Sequence, residues 1–290
     1  MELTLSTHLL VYRELDDAAF ERVAAAGYGK VEAWLAEPHL PWRQETGPER
    51  VRERLAACGL RAGTVHLPFY PSVPELLERG RRWSVIDPDP SSRAEALEGA
   101  RRGLAAAAAL GAEGAVLHLG WQGDAWEGDA APLAREAVAT LLEAAREHGV
   151  TLLLENIMSA GTRAARLVEM LDELDPEGRA GICLDLGHAH VEGGGGAGIL
   201  AEVEAALPRL RHLHVHDNDG CTDQHLVPGA GTLPWREVLE RLKDADFGGE
   251  AALEIRDGER GRRAASEVLD DTLPRVGAFV ERWRAEGLLP

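Results

Sequence analysis

The chain has 290 residues, of which 45% are hydrophobic and 28% charged, so it can bury a large core and is not expected to be disordered or fibrous. Its 49 acidic and 31 basic side chains give a formal net charge of −18, which argues against nonspecific binding to nucleic acid or to anionic lipid. The three cysteines, Cys58, Cys183 and Cys221, are widely spaced and odd in number, which predicts reduced thiols in the cytoplasm rather than a disulfide framework.

The N-terminal residues and the apolar stretches also point to a protein of the cytoplasm. The N-terminal segment has no basic leader and soon becomes acidic, which argues against a signal peptide. The longest weakly polar stretch, residues 103–121, is rich in alanine and is interrupted by Glu113 and His118. It predicts a helix, a turn and a strand rather than a membrane span. We therefore expect a cytoplasmic protein that does not enter a membrane.

Short apolar runs alternate with segments of helical periodicity along the whole chain. In chain order, the strand candidates are LTLS near Leu3, KVEAW from Lys30, AGTVHL from Ala62, AVLHLG from Ala115, TLLLEN from Thr151, GICLDL from Gly181, RHLHVH from Arg211 and AALEI from Ala251. The helix candidates between them include DDAAFERVAAAG, PERVRERLAACG, SRAEALEGARRGLAAAAALG, APLAREAVATLLEAAREHG and TRAARLVEMLDEL. Several begin after Asp, Pro or Ser and end at Gly, as helix caps favour. This alternation predicts an α/β protein with one domain over residues 1–290, a (β/α)8 TIM barrel.

A doubly wound open sheet is the alternative architecture. The chain lacks a GxGxxG motif after its first strand and a Walker loop ending in GK[ST], so the barrel is preferred. Residues 67–92 form the longest connection and contain Phe69, Tyr70 and Trp83; they are a candidate lid over the barrel mouth, with a surface insertion as the alternative. The glycine run 193–196 predicts a flexible loop after the sixth strand rather than a phosphate nest, since no lysine or hydroxyl follows it.

Polar side chains that can bind a metal recur where the predicted strands end. Barrel enzymes keep their active sites at this end of the strands. A cluster of carboxylates there needs cations to offset repulsion and desolvation, and His, Asp and Glu without Cys suit Zn, Mn, Co or Mg. The residues, one from each of the second to eighth strands, are Glu32, His66, His118, Glu155, Asp185, His214 and Glu254.

Two segments carry carboxylates directly after apolar runs. In LENIMS, Glu155 ends a very apolar strand. In CLDLGHAH, Asp185 and His188 are three residues apart at a strand-to-loop junction, close enough to reach one ion or two adjacent ions. The alternative is helix capping for Glu155 and for Asp185, with His188 incidental.

A third segment, RHLHVHDNDGCTDQH, is rich in histidine. His212, His214 and His216 share one face of a strand, and Asp223 and His225 form a D-x-H pair in the loop that follows. We take His214 as the ligand. His216 is left open between a ligand and a partner that orients one, and His212 is expected deeper in the barrel as a buried neutral imidazole.

The motifs LEN, LDLGHAH, HVHDNDGCTDQHLVPGAG and LEI resemble those of the xylose isomerase-like TIM-barrel superfamily, which includes sugar phosphate isomerases and epimerases and endonuclease IV-like enzymes. The resemblance extends over essentially the whole chain. In the epimerase branch it implies a metal held by a Glu, Asp, His, Glu set, which falls on Glu155, Asp185, His214 and Glu254. The three-metal site of the endonuclease IV branch implies further ligands at His66, His118, His188, Asp223 and His225. One or more divalent ions per chain are therefore expected.

The resemblance implies a divalent-metal-dependent isomerase or epimerase that acts on a small sugar, sugar phosphate or related ketone through an enediolate. Glu155 and Glu254 would be the metal-bound acid/base pair. Substrate contacts are expected from His188, Arg256, Trp34 and Trp121. The alternatives are a salt bridge to Asp257 or Glu259 for Arg256, and ordinary hydrophobic packing for the tryptophans.

Two other functions stay open. One is an endonuclease IV-like multi-zinc phosphodiesterase that cleaves at abasic sites, which the D-x-H pair favours and the negative charge of the chain disfavours. The other is a sugar-binding barrel or a metal-stabilised subunit without catalytic activity. The expected partner is thus a small sugar-like molecule; nucleic acid and membrane are not expected, and a homo-oligomer is left open.

Overall fold

The computed structural model of the protein describes residues 1–289 and is a closed barrel of eight parallel strands. Each strand pairs with the next one along the chain, and β8 closes on β1 from Glu2 opposite Glu250 to Leu5 opposite Leu253. The strands are β1 (Glu2–Ser6), β2 (Lys30–Trp34), β3 (Arg61–His66), β4 (Gly114–Leu117), β5 (Thr151–Glu155), β6 (Gly181–Asp185), β7 (Leu210–Val215) and β8 (Glu250–Leu253). The predicted single-domain TIM barrel is confirmed; Pro290, the last residue of the predicted domain, lies outside the described residues.

Helices follow the strands and pack against one another around the barrel. They are α1 (Asp17–Ala25), α2 (Gly47–Ala57), α3 (Val73–Arg79), α4 (Pro90–Leu110), α5 (Ala130–His148), α6 (Ala164–Leu174), α7 (Leu186–Glu192), α8 (Ala197–Ala206), α9 (Trp235–Asp244) and α10 (Ala265–Ala285). Short 3-10 helices cover Thr7–Leu10 and Ala160–Thr162. The five helix candidates quoted from the sequence correspond to α1, α2, α4, α5 and α6. Over residues 1–289, none of these helices has the length and apolar character needed to span a membrane.

The sequence forms these elements for local reasons. All five residues of β6 are buried, as expected for a parallel strand covered on both faces. Helix α4 begins after Asp89, whose side chain accepts a hydrogen bond from the backbone N–H of Ser92 at 2.8 Å. Within α4, a Cβ at Gly103 would come 2.8 Å from side-chain carbons of Leu67 and Pro68, so glycine lets the helix lie close to the end of β3.

The connection over residues 67–92 contains helix α3 and packs over the carboxyl end of the barrel. The Tyr70 hydroxyl accepts a hydrogen bond from Trp34 Nε1 at 2.8 Å, and Trp83 is buried. The segment therefore contributes a wall to the barrel mouth, and its motion as a lid stays a prediction.

The glycine run 193–196 lies in the connection after β6, as predicted, but not directly after the strand. Helix α7 separates the run from β6, because the Asp185 side chain caps that helix by accepting from the His188 N–H at 2.6 Å. The run is instead the turn between α7 and α8, and Gly194, Gly195 and Gly196 have φ of +66°, +79° and +54°.

Candidate metal centre

Four predicted metal ligands meet at the carboxyl end of the barrel. Glu155 and Asp185 are the last residues of β5 and β6, His214 is the penultimate residue of β7, and Glu254 directly follows β8. Because parallel strands of a barrel end at one rim, one donor atom from each residue lies within 4.8 Å of those of the other three. All four residues are at most 2% exposed, so their charges are removed from water.

The imidazole of His214 is the centre of this quartet. Its Nδ1 lies 2.5 Å from Glu254 Oε2, 3.2 Å from Glu155 Oε1 and 3.7 Å from Asp185 Oδ2. Burial raises the pKa of Glu155, but the charges of His118 and His214 outweigh it and hold that pKa well below its ordinary value. Burial lowers the pKa of His214, but the acidic groups around the ring raise it well above its ordinary value.

The donor chemistry of the quartet fits a divalent cation. Three carboxylates converge on one imidazole nitrogen, and Glu254 Oε2, although close to that nitrogen, is buried without a well-directed hydrogen bond. A cation among these atoms would satisfy that oxygen and offset the repulsion between the carboxylates. Nitrogen and carboxylate oxygen donors suit Zn, Mn, Co or Mg, so the quartet can hold the predicted kind of metal.

Two further donor sets adjoin the quartet. In the first, Glu155 Oε2 lies 2.9 Å from His118 Nε2 and 3.2 Å from His66 Nε2. In the second, donor atoms of His188, His216, Asp223 and His225 lie within 4.8 Å of one another. The structure thus brings all five additional sequence-predicted ligands next to the quartet, and Glu155 belongs to two sets.

His216, which the sequence left open, contacts both the quartet and the second additional set. Its Nε2 lies 3.0 Å from Asp185 Oδ2, and its ring stacks on that of His225 with centroids 3.9 Å apart. Its Nδ1 is buried without a partner. His216 is therefore in position both to orient Asp185 and to offer a nitrogen to the second set.

The predicted position of Glu32 is wrong. Glu32 is the middle residue of β2, two residues before the strand ends, and it lies fully buried inside the barrel below the quartet. It bonds there with His212 and His214 at 3.0 and 3.1 Å. His212 is deep and 1% exposed, at the depth expected from the sequence.

Sequence reasoning missed His8. It lies in the 3-10 helix that directly follows β1, and its Nδ1 is 3.6 Å from Glu254 Oε1. Burial, followed by the charge of His225, holds the pKa of His8 well below its ordinary value. A histidine two residues past the first predicted strand is the same signal that selected the other strand ends, and it could have been found in this way.

A cavity of about 210 Å³ opens beside the donor sets. Its polar lining includes His118, His188, Asp223, His225, Glu254 and Arg256, and its apolar lining includes Val11, Trp34, Phe69, Tyr70, Val73, Leu76, Trp121, Ile157 and Met158. This volume lies below the roughly 300–1,000 Å³ typical of pockets for drug-sized ligands, which favours a small molecule. Of the two predicted catalytic glutamates, Glu254 lines the cavity, whereas Glu155 is not among its lining residues within 1–289.

The predicted substrate contacts lie at this cavity. Trp34 stacks between His8 and His66, with ring centroids 4.3 and 3.9 Å away. Trp121 also lines the cavity, and its indole N–H donates to the carbonyl oxygen of Trp83 at 3.1 Å.

Arg256 makes neither of the salt bridges considered from the sequence. Its Nη2 donates to the carbonyl oxygen of Asp223 at 2.8 Å, and within residues 1–289 it forms no ion pair with Asp257 or Glu259. Asp257 pairs instead with Arg13 at 2.8 Å. The positive charge of Arg256 is therefore available at the cavity.

Comparison with known proteins agrees with this architecture. Residues 20–272 match the family model described as xylose isomerase-like TIM barrel. The chain belongs to this family. Within the xylose isomerase-like TIM barrel family, fructoselysine 3-epimerase of Shigella flexneri is 24% identical over 246 residues, which cover 82% of this chain and 84% of that one.

Solved structures have the same fold at low sequence identity. L-ribulose 3-epimerase is similar with a TM-score of 0.75 at 17% identity, over 99% of this chain and 97% of that one. The IOLI protein with a binding zinc atom is similar with a TM-score of 0.76 at 15% identity, over 98% of this chain and 99% of that one. The relatives of this xylose isomerase-like barrel therefore include sugar epimerases.

Proposed function

We propose that the chain is a divalent-metal-dependent isomerase or epimerase of a small sugar, sugar phosphate or related ketone. The observation that carries this proposal is the pair of glutamates, Glu155 and Glu254, which share one donor set but come from strands three positions apart in the barrel. They approach the set from different directions, so a proton can be removed and returned on different faces of a substrate. A divalent ion, when bound there, would supply Lewis-acid polarisation of neighbouring carbonyl and hydroxyl oxygens.

The two glutamates differ in their access to a substrate. Oε2 of Glu254 faces the other three residues of the quartet. Its Oε1 lies 3.6 Å from Nδ1 of His8, and both residues line the cavity. Both oxygens of Glu155 lie near histidines, with His118 Nε2 2.9 Å from one and His214 Nδ1 3.2 Å from the other. Glu254 is therefore our first candidate for direct proton transfer to the substrate. Glu155 would exchange a proton with the substrate from the opposite side of the quartet.

Other cavity residues would bind and orient the substrate. His188 Nδ1 donates to the carbonyl oxygen of Asn156 at 2.8 Å, which leaves Nε2 for a substrate oxygen. The ring of Trp121 suits the apolar face of a sugar, whereas Trp34, whose ring stacks between His8 and His66, would contact the substrate through its edge. Arg256 would contact an anionic group such as a phosphate.

Hydrogen exchange tests the proposal. Incubation of the metal-loaded protein with a ketose panel in heavy water should leave deuterium on the carbon next to the carbonyl. Glu254→Gln should lower this exchange by about 10²–10⁴-fold, because it removes a general acid/base group. Glu250→Gln is the matched control, since Glu250 is the first residue of β8, the strand that Glu254 follows, and does not line the cavity.

A second candidate function rests on the two additional donor sets. A multi-zinc phosphodiesterase of the endonuclease IV type would use all three sets, and His66, His118, His188, Asp223 and His225 all have competent positions for it. Asp185→Asn should abolish metal binding under either function, whereas His225→Ala should remove an ion only if the second additional set is occupied. Elemental analysis of both variants distinguishes these cases.

An absence of exchange over a broad panel of sugars and sugar phosphates, together with metal-dependent cleavage of an abasic duplex, would overturn the isomerase proposal.

A further inference from the structure

Glu32 is a carboxylate in the dry interior of the barrel with an unusual number of donors around it. Its Oε1 accepts a hydrogen bond from the Ser6 hydroxyl at 3.0 Å. Its Oε2 lies 3.1 Å from the Thr64 hydroxyl, 3.0 Å from His212 Nε2 and 3.1 Å from His214 Nε2. Glu32 is 0% exposed and does not line the cavity, so it does not contact substrate.

These contacts determine how His214 presents its two ring nitrogens. A carboxylate only accepts hydrogen bonds, so the Nε2 of His214 that faces Glu32 must carry the hydrogen. The other nitrogen, Nδ1, faces Glu254, Glu155 and Asp185. Without a cation it carries a hydrogen as well, and a bound cation would displace that hydrogen while the bond to Glu32 keeps the hydrogen on Nε2.

The remaining donors hold Glu32 itself in place. The His212 N–H and the Ser6 and Thr64 hydroxyls reach it from β7, β1 and β3, so the carboxylate is bonded from three strands besides its own. Because each of these donors is at most 5% exposed, water does not compete for the carboxylate.

We propose that Glu32 is a positioning residue of the metal centre: it keeps the hydrogen on Nε2 of His214 and holds the ring orientation, so that Nδ1 is the nitrogen that gives up its proton to bind a divalent cation. The inference rests on the proposed metal dependence but not on the identity of the reaction. Loss of such an outer partner of a metal-bound histidine typically lowers metal affinity by about 10–100-fold.

The experiment is a Co²⁺ titration of the metal-free protein, followed by the visible absorption of the bound ion. Glu32→Gln should weaken Co²⁺ binding by about 10–100-fold and change the absorption bands, because an amide introduces an N–H where four donors already converge. Glu250→Gln is the matched control: Glu250 also accepts from Thr64, at 3.3 Å, and has no bond to His214. It should bind Co²⁺ as the wild type does.

Several outcomes would overturn the inference. One is a Glu32→Gln protein that is less stable to heat but has wild-type Co²⁺ affinity and absorption, because Glu32 would then be only structural. If Glu32→Gln does not fold, Glu32→Asp takes its place; the retracted carboxylate should weaken Co²⁺ binding, and unchanged affinity would count against the inference. Absence of Co²⁺ binding by the wild type would overturn both this inference and the proposed metal dependence. Co²⁺ binding that depends on Glu32, without turnover of any sugar, would overturn only the proposed reaction.

Discussion

His39 is a buried histidine that should make the protein less stable in mild acid. It lies in the connection after β2, and its side chain is fully buried. Its Nδ1 lies 2.9 Å from the carbonyl oxygen of Arg13, to which it donates, and its Nε2 is buried without a partner. Burial is the main cause that lowers the pKa of His39 to about 4, so the folded protein holds this ring neutral.

The size of the effect follows from the difference between the folded and unfolded states. An unfolded chain takes up a proton on histidine near pH 6.5, whereas the folded chain does so only near pH 4. The stabilisation from the neutral ring is therefore fully present above pH 6.5 and is lost as the pH falls toward 4. At about 1.4 kcal/mol per pKa unit, the loss from this residue is about 2 kcal/mol at pH 5.

The variant His39→Asn tests this estimate, because its amide keeps an N–H donor for Arg13 but does not titrate. Urea unfolding at pH 8 and pH 5 gives the free energy of unfolding of each protein. The variant is expected to be less stable than the wild type at pH 8, since a smaller side chain leaves a gap, and that difference should shrink by about 2 kcal/mol at pH 5. His148→Asn, at the exposed end of α5, is the matched control for loss of a histidine. An unchanged difference between His39→Asn and wild type at the two pH values would refute the reasoning.

The remaining predictions concern the metal centre. Chelation should lower the melting temperature in calorimetry, by about 7 °C if the ion is present at about 1,000 times its Kd, and the absence of any shift would contradict a bound cation. Gly187→Ala should cost about 1–3 kcal/mol in thermal unfolding and weaken metal binding, because its Cβ would lie 1.9 Å from Cε1 of His216, the partner of Asp185. Gly248→Ala, whose Cβ would meet nothing within 4 Å, should change neither property. Arg256→Gln should weaken phosphate binding, measured by calorimetric titration, by roughly 10–100-fold, and equal affinity would exclude Arg256 as the anion contact.

Much of the fold and part of the site could be predicted from local sequence. Runs such as TLLLE and GICLD are apolar because both faces of a parallel strand are covered, so the eight strands were visible in the sequence. Glu155 and Asp185 end such runs, and any closed parallel barrel brings the ends of its strands to one rim. The convergence of the quartet therefore follows from the strand ends and the topology together, without knowledge of any loop.

What the sequence by itself determined was the class of fold and the set of donor side chains at the rim. Only the tertiary structure decided the depth of each side chain and the partner it faces. Glu32 and Glu254 are both glutamates predicted at strand ends, yet one is an internal hydrogen-bond acceptor and the other lines the cavity. Depth depends on the stagger of the strands around the barrel and on contacts between distant parts of the chain, such as Glu32 with His214, 182 residues apart. Local patterns of apolar and polar residues contain no record of those contacts, which is why the inward position of Glu32 emerged only from the folded structure.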